Sequence, residues 1–406
     1  MEGTILKTAL GDVKVVEYGN LIGAPYCSKL MADLGAEVIK VEKPGEGDVA
    51  RSRQPFLNDI PGIEHSGLFL YLNANKLGVT LNLEKPAGRE IFKRLIKDAD
   101  ILVENTECGE LDELGLGYDD LKQLNPALVM TSMTVFGQTG PYRHFKGNDF
   151  IAGHMSGHSY IMPRFASSAE LPPLMEKTQI AFLWAITAAV ATMMALHWQR
   201  RTGVGQQVDA SALEAAIQPG QFSVMFWPYA RKIVTRETRN TVGLQQFVKC
   251  KDGQVFFHCS EQNHWQSLVK VMGNPEWAHD DRFKTSISRG DNREALEELV
   301  TRWTMDHTKA ELFQMAAEYG FPMAPVNSVA DVMANQQLKE RDFFVEWEHP
   351  VAGKLTYPGA PARLSRTPWA IHRPAPLLGQ HNEEIFCKRL GYSQEELTSM
   401  YQAGII

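Results

Sequence analysis

The chain has 406 residues, more than one ordinary hydrophobic core organises, and so points to two domains. With 44% hydrophobic and 22% charged residues it has the composition of a soluble globular protein. A net charge of −7 argues against a general nucleic-acid binder and leaves room only for a local basic pocket that takes an anionic ligand.

The start, "MEGTILKTALGDVKVVEYG", has no basic segment followed by an apolar one, so no signal peptide is expected. "VKVVEYG" (13–19) reads as a strand, "APYCSKLMADLGA" (24–36) as a helix with Gly35 near its end, and "EVIKVEKPGEGD" (37–48) as a second strand leaving into a Gly/Pro loop. A β-α-β unit of this length implies a parallel pair. "GVTLNL" reads as a strand, "AGREIFKRLIKDA" (87–99) as an amphipathic helix and "DILVEN" (100–105) as a strand. "YDDLKQLNP" reads as a helix stopped by Pro126, and "LVMTSMTVFG" (128–137) as a further strand. The alternation predicts an open, Rossmann-like α/β sheet with helices on both faces.

Residues 180–198 then run without Asp, Glu, Lys or Arg. The stretch is near the minimum length of a membrane span, roughly 18–20 residues. It is rich in Ala and Thr and has no second span beside it, so a buried core helix is the preferred reading. Beyond Ala212 the texture changes. "QQFVKCKDGQVFFHCS" (245–260) predicts a hairpin around Lys251–Asp252–Gly253, and 292–320 predicts two helices ending at Gly320. The expected organisation is a large Rossmann-like domain at 1–215, a smaller α+β domain at 225–330, and a C-terminal segment, 331–406, that returns to the large domain.

Five scattered cysteines (Cys27, Cys108, Cys250, Cys259, Cys387) with no CxxC pair suggest neither a zinc site nor a disulfide framework, which fits a reducing cytoplasm. Three polar stretches beside strand ends are candidate sites. In "YGNLIGAPYCSKL" small residues open a helix whose N-terminus favours an anion; a plain β-α turn accounts for the stretch as readily, and no GxGxxG is present. "NANKLGVTLNL" with "VENTECGELDELG" offers Asn73, Asn75, Lys76 and Asn105, or simply polar surface loops. "TGPYRHFKGNDFIAGHMSGHS" holds Arg143, His144, Lys146, Asn148, Asp149, His154 and His158 between glycines. Its histidines include one i,i+4 pair without an obvious acidic third ligand, so no metal is expected, and a helix cap at Asn148 or Asp149 explains part of it.

Taken together, "LMADLGAEVIKVEKPGEGD", "NANKLGVTLNL", "DILVEN", "MTVFGQTGPY…NDFIAGHMSG", "RRTGVGQQVDASALEAA", "GFPMAPVNSVADV" and "APLLGQHNEEI" resemble, in order and over nearly the whole chain, the class III CoA-transferases, the family of formyl-CoA transferase and carnitine CoA-transferase. The resemblance implies two chains interlocked as a dimer. It implies a covalent cycle in which an aspartate attacks an acyl-CoA thioester, with coenzyme A or acyl-CoA as substrate and no metal. That aspartate starts the long helix, twenty-two residues before the first glycine of "TGVGQ"; here the position is Ala181. Glu176 is the nearest acid in sequence, and Asp149 is a second candidate for a displaced nucleophile.

The resemblance also places Leu21, Ile22 and Gly23 in a CoA-contacting loop, Lys43 at a position that meets CoA phosphates, and Asn105 and Lys146 among CoA contacts. Glu113 replaces a common arginine, and Asn148 stands where the related racemases carry histidine, which argues against a racemase. The expected function is the non-nucleophilic subunit of a heteromeric transferase paired with an aspartate-bearing paralogue, as in the benzylsuccinate CoA-transferases of anaerobic toluene degradation, with succinyl-CoA as donor. The alternatives are an acyl-CoA-binding or regulatory homodimer, and an active homodimer with a displaced nucleophile. No nucleic-acid or membrane partner is expected. The aromatic segment 223–232 either lines an aromatic acid pocket or packs in the core at a domain junction.

Overall fold

In the computed structural model, which describes residues 8–162, 178–235 and 243–406, six parallel strands form a sheet in the order β3-β2-β1-β4-β5-β6. They are β1 (Lys14–Tyr18), β2 (Glu37–Glu42), β3 (Lys76–Thr80), β4 (Ile101–Glu104), β5 (Val129–Thr134) and β6 (Gln207–Ser211). The sequence reading found the first five. It missed β6, whose "QVDAS" has only its last two residues buried and carries no apolar run. The strand order reverses direction between β1 and β4, and in an open α/β sheet a ligand crevice forms beyond the carboxyl ends of strands at such a point.

Between the strands run α1 (Gly23–Ala32), α2 (Gly67–Leu72), α3 (Pro86–Lys97), α4 (Glu110–Glu113) and α5 (Tyr118–Leu124). Pro86 occupies the first helical turn of α3, where its missing N–H leaves no intrahelical bond unmade, and Ile91, Phe92, Leu95 and Ile96 turn one face onto the sheet. After β5 come α6 (Asp149–Met155), α7 (His158–Ile161) and α8 (Gln179–Thr202). The C-terminal stop of α8 is Gly203 in the left-handed conformation, φ 76°.

Helix α8 is long and apolar enough to cross a membrane, but it is a core helix on one face. Ala185, Ala188, Ala189, Ala195 and Leu196 join the cluster formed by β1, β4, β5 and α1. Thr192 shares a 2.7 Å hydroxyl contact with Thr131 of β5 in the same interior. Its other face shows Ile186, Val190, Met194 and Trp198 to solvent, every fourth residue, hence a continuous stripe.

The chain divides into two compact bodies, Met1–Arg236 with Phe343–Ile406, and Glu237–Asp342. The second lies later than the expected 225–330. It contains the expected hairpin, β7 (Leu244–Cys250) and β8 (Gly253–Cys259), extended by β9 (Met323–Pro325). The C-terminal segment adds a hairpin the sequence reading did not anticipate, Phe344–His349 with Gly353–Pro358. It then contributes Ile385, Phe386, Leu397 and Ile406 to the core beneath β2, β3 and α3.

Candidate functional site

A cavity of about 1020 Å³ opens beyond the carboxyl ends of β1, β4 and β5, at the reversal point of the sheet. That is at the upper end of small-ligand pockets, roughly 300–1,000 Å³. Its walls are the turn after β1 (Asn20–Gly23), the loops after β4 (Asn105–Cys108) and β5 (Met133–Phe136), the segment Arg143–Asp149, the start of α8 (Ala181, Trp184), and the segment Ser52–Gln54 with Leu68.

A lattice of buried charges lies under the β1 turn. Glu17 accepts from Lys40 at 2.6 Å, from Lys76 at 2.7 Å and from the Ser28 hydroxyl at 2.5 Å. Lys40 also pairs with Asp48 at 2.7 Å. All three members drawn from β1, β2 and β3 are fully buried. Burial alone would push the Glu17 pKa up; the ammonium groups of Lys40 and Lys76 outweigh it and hold it at about 2. Burial also lowers Lys76, to about 8, against the opposing pull of Glu17. Lys40 is raised because Asp48, Glu17 and Glu42 overcome its desolvation.

The lattice sets the shape of the cavity wall through Asp48. One of its oxygens accepts the backbone N–H of Leu21 at 2.9 Å and of Ala50 at 2.7 Å. Leu21 has φ 61°, a left-handed conformation that an L residue adopts only when its surroundings hold it there. Asn105 clamps the same turn from the other side, accepting from Asn20 N at 2.8 Å and donating to Asn20 O at 3.0 Å. This close approach requires glycine at position 19: a Cβ there would stand 2.4 Å from the Asn105 side-chain oxygen. Gly23 similarly lets the Trp184 ring close down on the N-terminus of α1, and Trp184 is fixed by its indole N–H donating to Ala210 O at 2.8 Å.

Glu104, just before Asn105, is buried. Burial pushes its pKa up to about 7, while bonds from the Thr106 hydroxyl and N–H oppose that. Asp149 begins α6 at the cavity wall. Desolvation raises its pKa to about 6 against the stabilising N–H groups of Ala181 and Ile180, and its Oδ2 has no hydrogen-bond partner among the described residues. Asp149 therefore sits at the N-terminus of α8, beside the residue expected at the nucleophile position.

Of the residues singled out from sequence, Leu21, Ile22, Gly23, Asn105, Lys146, Asn148 and Ala181 converge on this cavity. Asn148 is also the cap of α6, its side chain accepting from Ile151 N. Asn73 and Lys76 do not line it. They belong to the buried lattice, where the Lys76 ammonium is spent on Glu17, Pro25 O and Asn73 Oδ1. Asn75 binds Asp33 and the backbone of the C-terminal segment. Lys43 is outside the lining too, paired with Glu46 and Glu84. Glu113 is likewise outside it.

Glu176 lies outside the described residues. The aromatic segment forms part of a helix, Gln221–Ala230, that does not line the cavity; Val224, Met225, Trp227 and Tyr229 are exposed rather than packed in a core. Among the described residues no group of three His, Cys, Asp or Glu is placed to hold a metal, and His144 instead accepts from the Arg143 guanidinium at 2.8 Å. Sequence reasoning missed Trp184 and Arg53 as cavity residues. Trp184 hid within an apolar run, and Arg53 sits two residues beyond the buried Arg51 with nothing in the local pattern to separate them.

Over 98% of its length this chain is 33% identical to succinyl-CoA–D-citramalate CoA-transferase of Chloroflexus aurantiacus, of which 98% is covered. It is 32% identical to succinyl-CoA:(R)-benzylsuccinate CoA-transferase subunit BbsE of Thauera aromatica, covering 97% of each chain. The crystal structure of a CAIB/BAIF family protein from Brucella suis superposes with a TM-score of 0.85 at 30% identity, over 94% of this chain and 99% of that one. With the profile of CoA-transferase family III matching residues 10–382, the chain belongs to that family and is a CoA-transferase by kind.

Proposed function

We propose that this chain is the non-nucleophilic subunit of a cytoplasmic heteromeric CoA-transferase, interlocked with a paralogue that carries the catalytic aspartate. The observation that carries the reading is Ala181. It lies on the cavity wall at the start of α8, where the family resemblance calls for the attacking carboxylate, and a methyl group cannot attack a thioester. The partner's aspartate would displace the CoA thiolate from the donor and hold the acyl group as a mixed anhydride; the thiolate would then attack the aspartyl carbonyl, releasing the donor acid, and the acceptor carboxylate would displace it again to give a second anhydride, which the thiolate cleaves to the product thioester and free aspartate. This chain would complete the dimer and bind CoA through the turn at Leu21–Gly23 with Asn105, Lys146 and Asn148. The exposed stripe Ile186, Val190, Met194, Trp198 supports a permanent partner, since an apolar helix face of this length is costly in water. The names of the relatives support succinyl-CoA as donor and make benzylsuccinate one acceptor to assay first.

A second reading is favoured by one observation. Asp149 lines the same cavity beside Ala181, with one carboxylate oxygen unpartnered among the described residues, and a group ionising near 6 is a competent nucleophile at neutral pH. It would then act in a homodimer.

The test is to recover the tagged chain from its source cells, weigh the intact complex, and assay transfer from succinyl-CoA for the complex and for the chain alone. Activity confined to a complex with an aspartate-bearing paralogue supports the first reading. Transfer by the pure chain, abolished by Asp149→Asn, supports the second. A pure chain that binds acyl-CoA and transfers nothing, with no partner, refutes both.

A further inference from the structure

Resting on the reading that the cavity takes an acyl-CoA and a carboxylic acid, we propose that Arg53 is its specificity determinant, pairing with the second, unreacting carboxylate of a dicarboxylic substrate. Among the cations near the cavity it stands apart. The guanidinium of Arg51 is saturated by Glu42 at 2.7 and 2.9 Å and by Glu64 at 2.7 Å. Lys146 faces Glu107 at 3.7 Å. Arg143 lines the cavity too, with one N–H donated to the His144 ring, which carries no compensating charge. Arg53 has no side-chain hydrogen bond or ion pair to any described residue, and it lines the cavity.

Its backbone is nevertheless fixed. Its N–H donates to Ala50 O at 3.0 Å, and its carbonyl accepts from the Ser66 hydroxyl at 2.7 Å, the same side chain that caps α2. The Asp48 side chain that holds the Leu21 turn also bonds Ala50 N, so the Arg53 segment and the CoA turn share one anchor. An arginine carried on a fixed backbone segment, lining a cavity and without a side-chain partner among the described residues, suits a carboxylate supplied by the ligand, which it can grip through two parallel N–H bonds.

The chemistry of a succinyl thioester makes that demand. One carboxyl is tied up as the thioester, and the other remains ionised with no role in the transfer. Arg143 and Lys146 belong to the segment Arg143–Asp149 that also carries Asn148, which is assigned here to CoA itself. Arg53 lines the cavity from a different stretch of the chain, Ser52–Gln54.

The experiment compares the equilibrium binding of succinyl-CoA, butanoyl-CoA and free CoA to the purified protein, in the oligomeric state in which it is isolated. Butanoyl-CoA replaces the distal carboxylate with a methyl group. Wild type should prefer succinyl-CoA. Arg53→Gln should weaken succinyl-CoA by roughly tenfold to a hundredfold, as for a lost hydrogen-bonded charge pair, and leave butanoyl-CoA and free CoA unchanged. Arg53→Lys should recover part of the preference, which a merely structural role would not produce. Equal weakening of all three ligands, or unchanged selectivity in Arg53→Gln, overturns the assignment while leaving the acyl-CoA reading in place. Failure of the wild-type protein to bind any of the three overturns both.

Discussion

Replacing Glu17 by glutamine removes one negative charge from the buried lattice and almost nothing else. The amide keeps the volume and can still accept from one ammonium, but among the described residues Lys76 loses its only carboxylate partner and Lys40 keeps only Asp48. The pKa of Glu17 falls from 4.5 to about 2 on folding. At about 1.4 kcal/mol per unit, ionisation of this one group stabilises the fold by roughly 3 kcal/mol. Breaking a buried pair from one side costs about 3–5 kcal/mol because the remaining charge is stranded, so the two routes agree on the size of the loss.

Glu17 contributes fully above its unfolded value, and its share is lost as pH falls from 4.5 towards 2. Lys76 behaves in the opposite sense: its folded pKa lies below the unfolded one, so it is a penalty below about 8 that is relieved as pH rises towards 10.5. Urea unfolding of the wild type followed by circular dichroism should therefore show an acid limb that Glu17→Gln flattens. At pH 7 the variant should be less stable by about 3–5 kcal/mol. The double variant Glu17→Gln/Lys76→Met, which removes the stranded charge, should regain part of the loss. A single variant within about 1 kcal/mol of wild type, or an unchanged acid limb, refutes the account of the lattice.

Glu104 carries the reverse sign. Burial raises it to about 7, so its cost accumulates as pH climbs from 4.5 through 7, and Glu104→Gln should stabilise the protein by about 3 kcal/mol at pH 8 with the gain absent below pH 4.5. Thermal denaturation across pH measures this. Gly23→Ala places a methyl 3.0 Å from the Trp184 ring at the cavity wall and should weaken binding of free CoA about tenfold with the fold intact, whereas Gly19→Ala, 2.4 Å from Asn105 and 2.5 Å from Ala24, should cost about 1–3 kcal/mol of stability. Calorimetric titration and urea unfolding separate the two. Met194→Glu, in the middle of the exposed stripe on α8, should reduce the fraction of this chain recovered in the complex when both subunits are co-expressed, without lowering the melting temperature of the isolated chain.

Where a segment's own pattern decided its structure, it was legible. Five of six sheet strands are short apolar runs followed by Gly, Pro or Asn, and α3 shows its buried face at helical spacing. Strand β6 escaped because it is an edge strand, bound on one side only, and needs no apolar run. The hairpin Phe344–His349 with Gly353–Pro358 escaped because its alternation mixes Trp with Glu and Leu with Lys on half-covered faces.

The site divides in the same way. The turn at Leu21 and the loop at Asn105 could be named because they follow strands. Asn73 and Lys76 were drawn to the site because polar groups beside a strand look solvent-facing, and only the tertiary fold shows that Glu17, 59 positions away, neutralises the lysine. Arg51 and Arg53 are indistinguishable as letters; one is consumed by Glu42 and Glu64 and the other is not.

The charged lattice also acts as a check on strand alignment. Glu17 stands opposite Lys40 in the pairing of β1 with β2, and Lys40 stands opposite Gly78 in the pairing of β2 with β3. A slip of β1 by one residue would carry Glu17 to the other face of the sheet, strand the Lys76 ammonium in a dry interior and leave Lys40 with Asp48 alone. Apolar strands such as "KVVEY" and "EVIKVE" would lose little in contact energy from that slip, since valine and isoleucine flank both charges. Mispaired sheets are thus rejected by electrostatics rather than by packing, and the turn that shapes the cavity is set only once all three strands are in alignment.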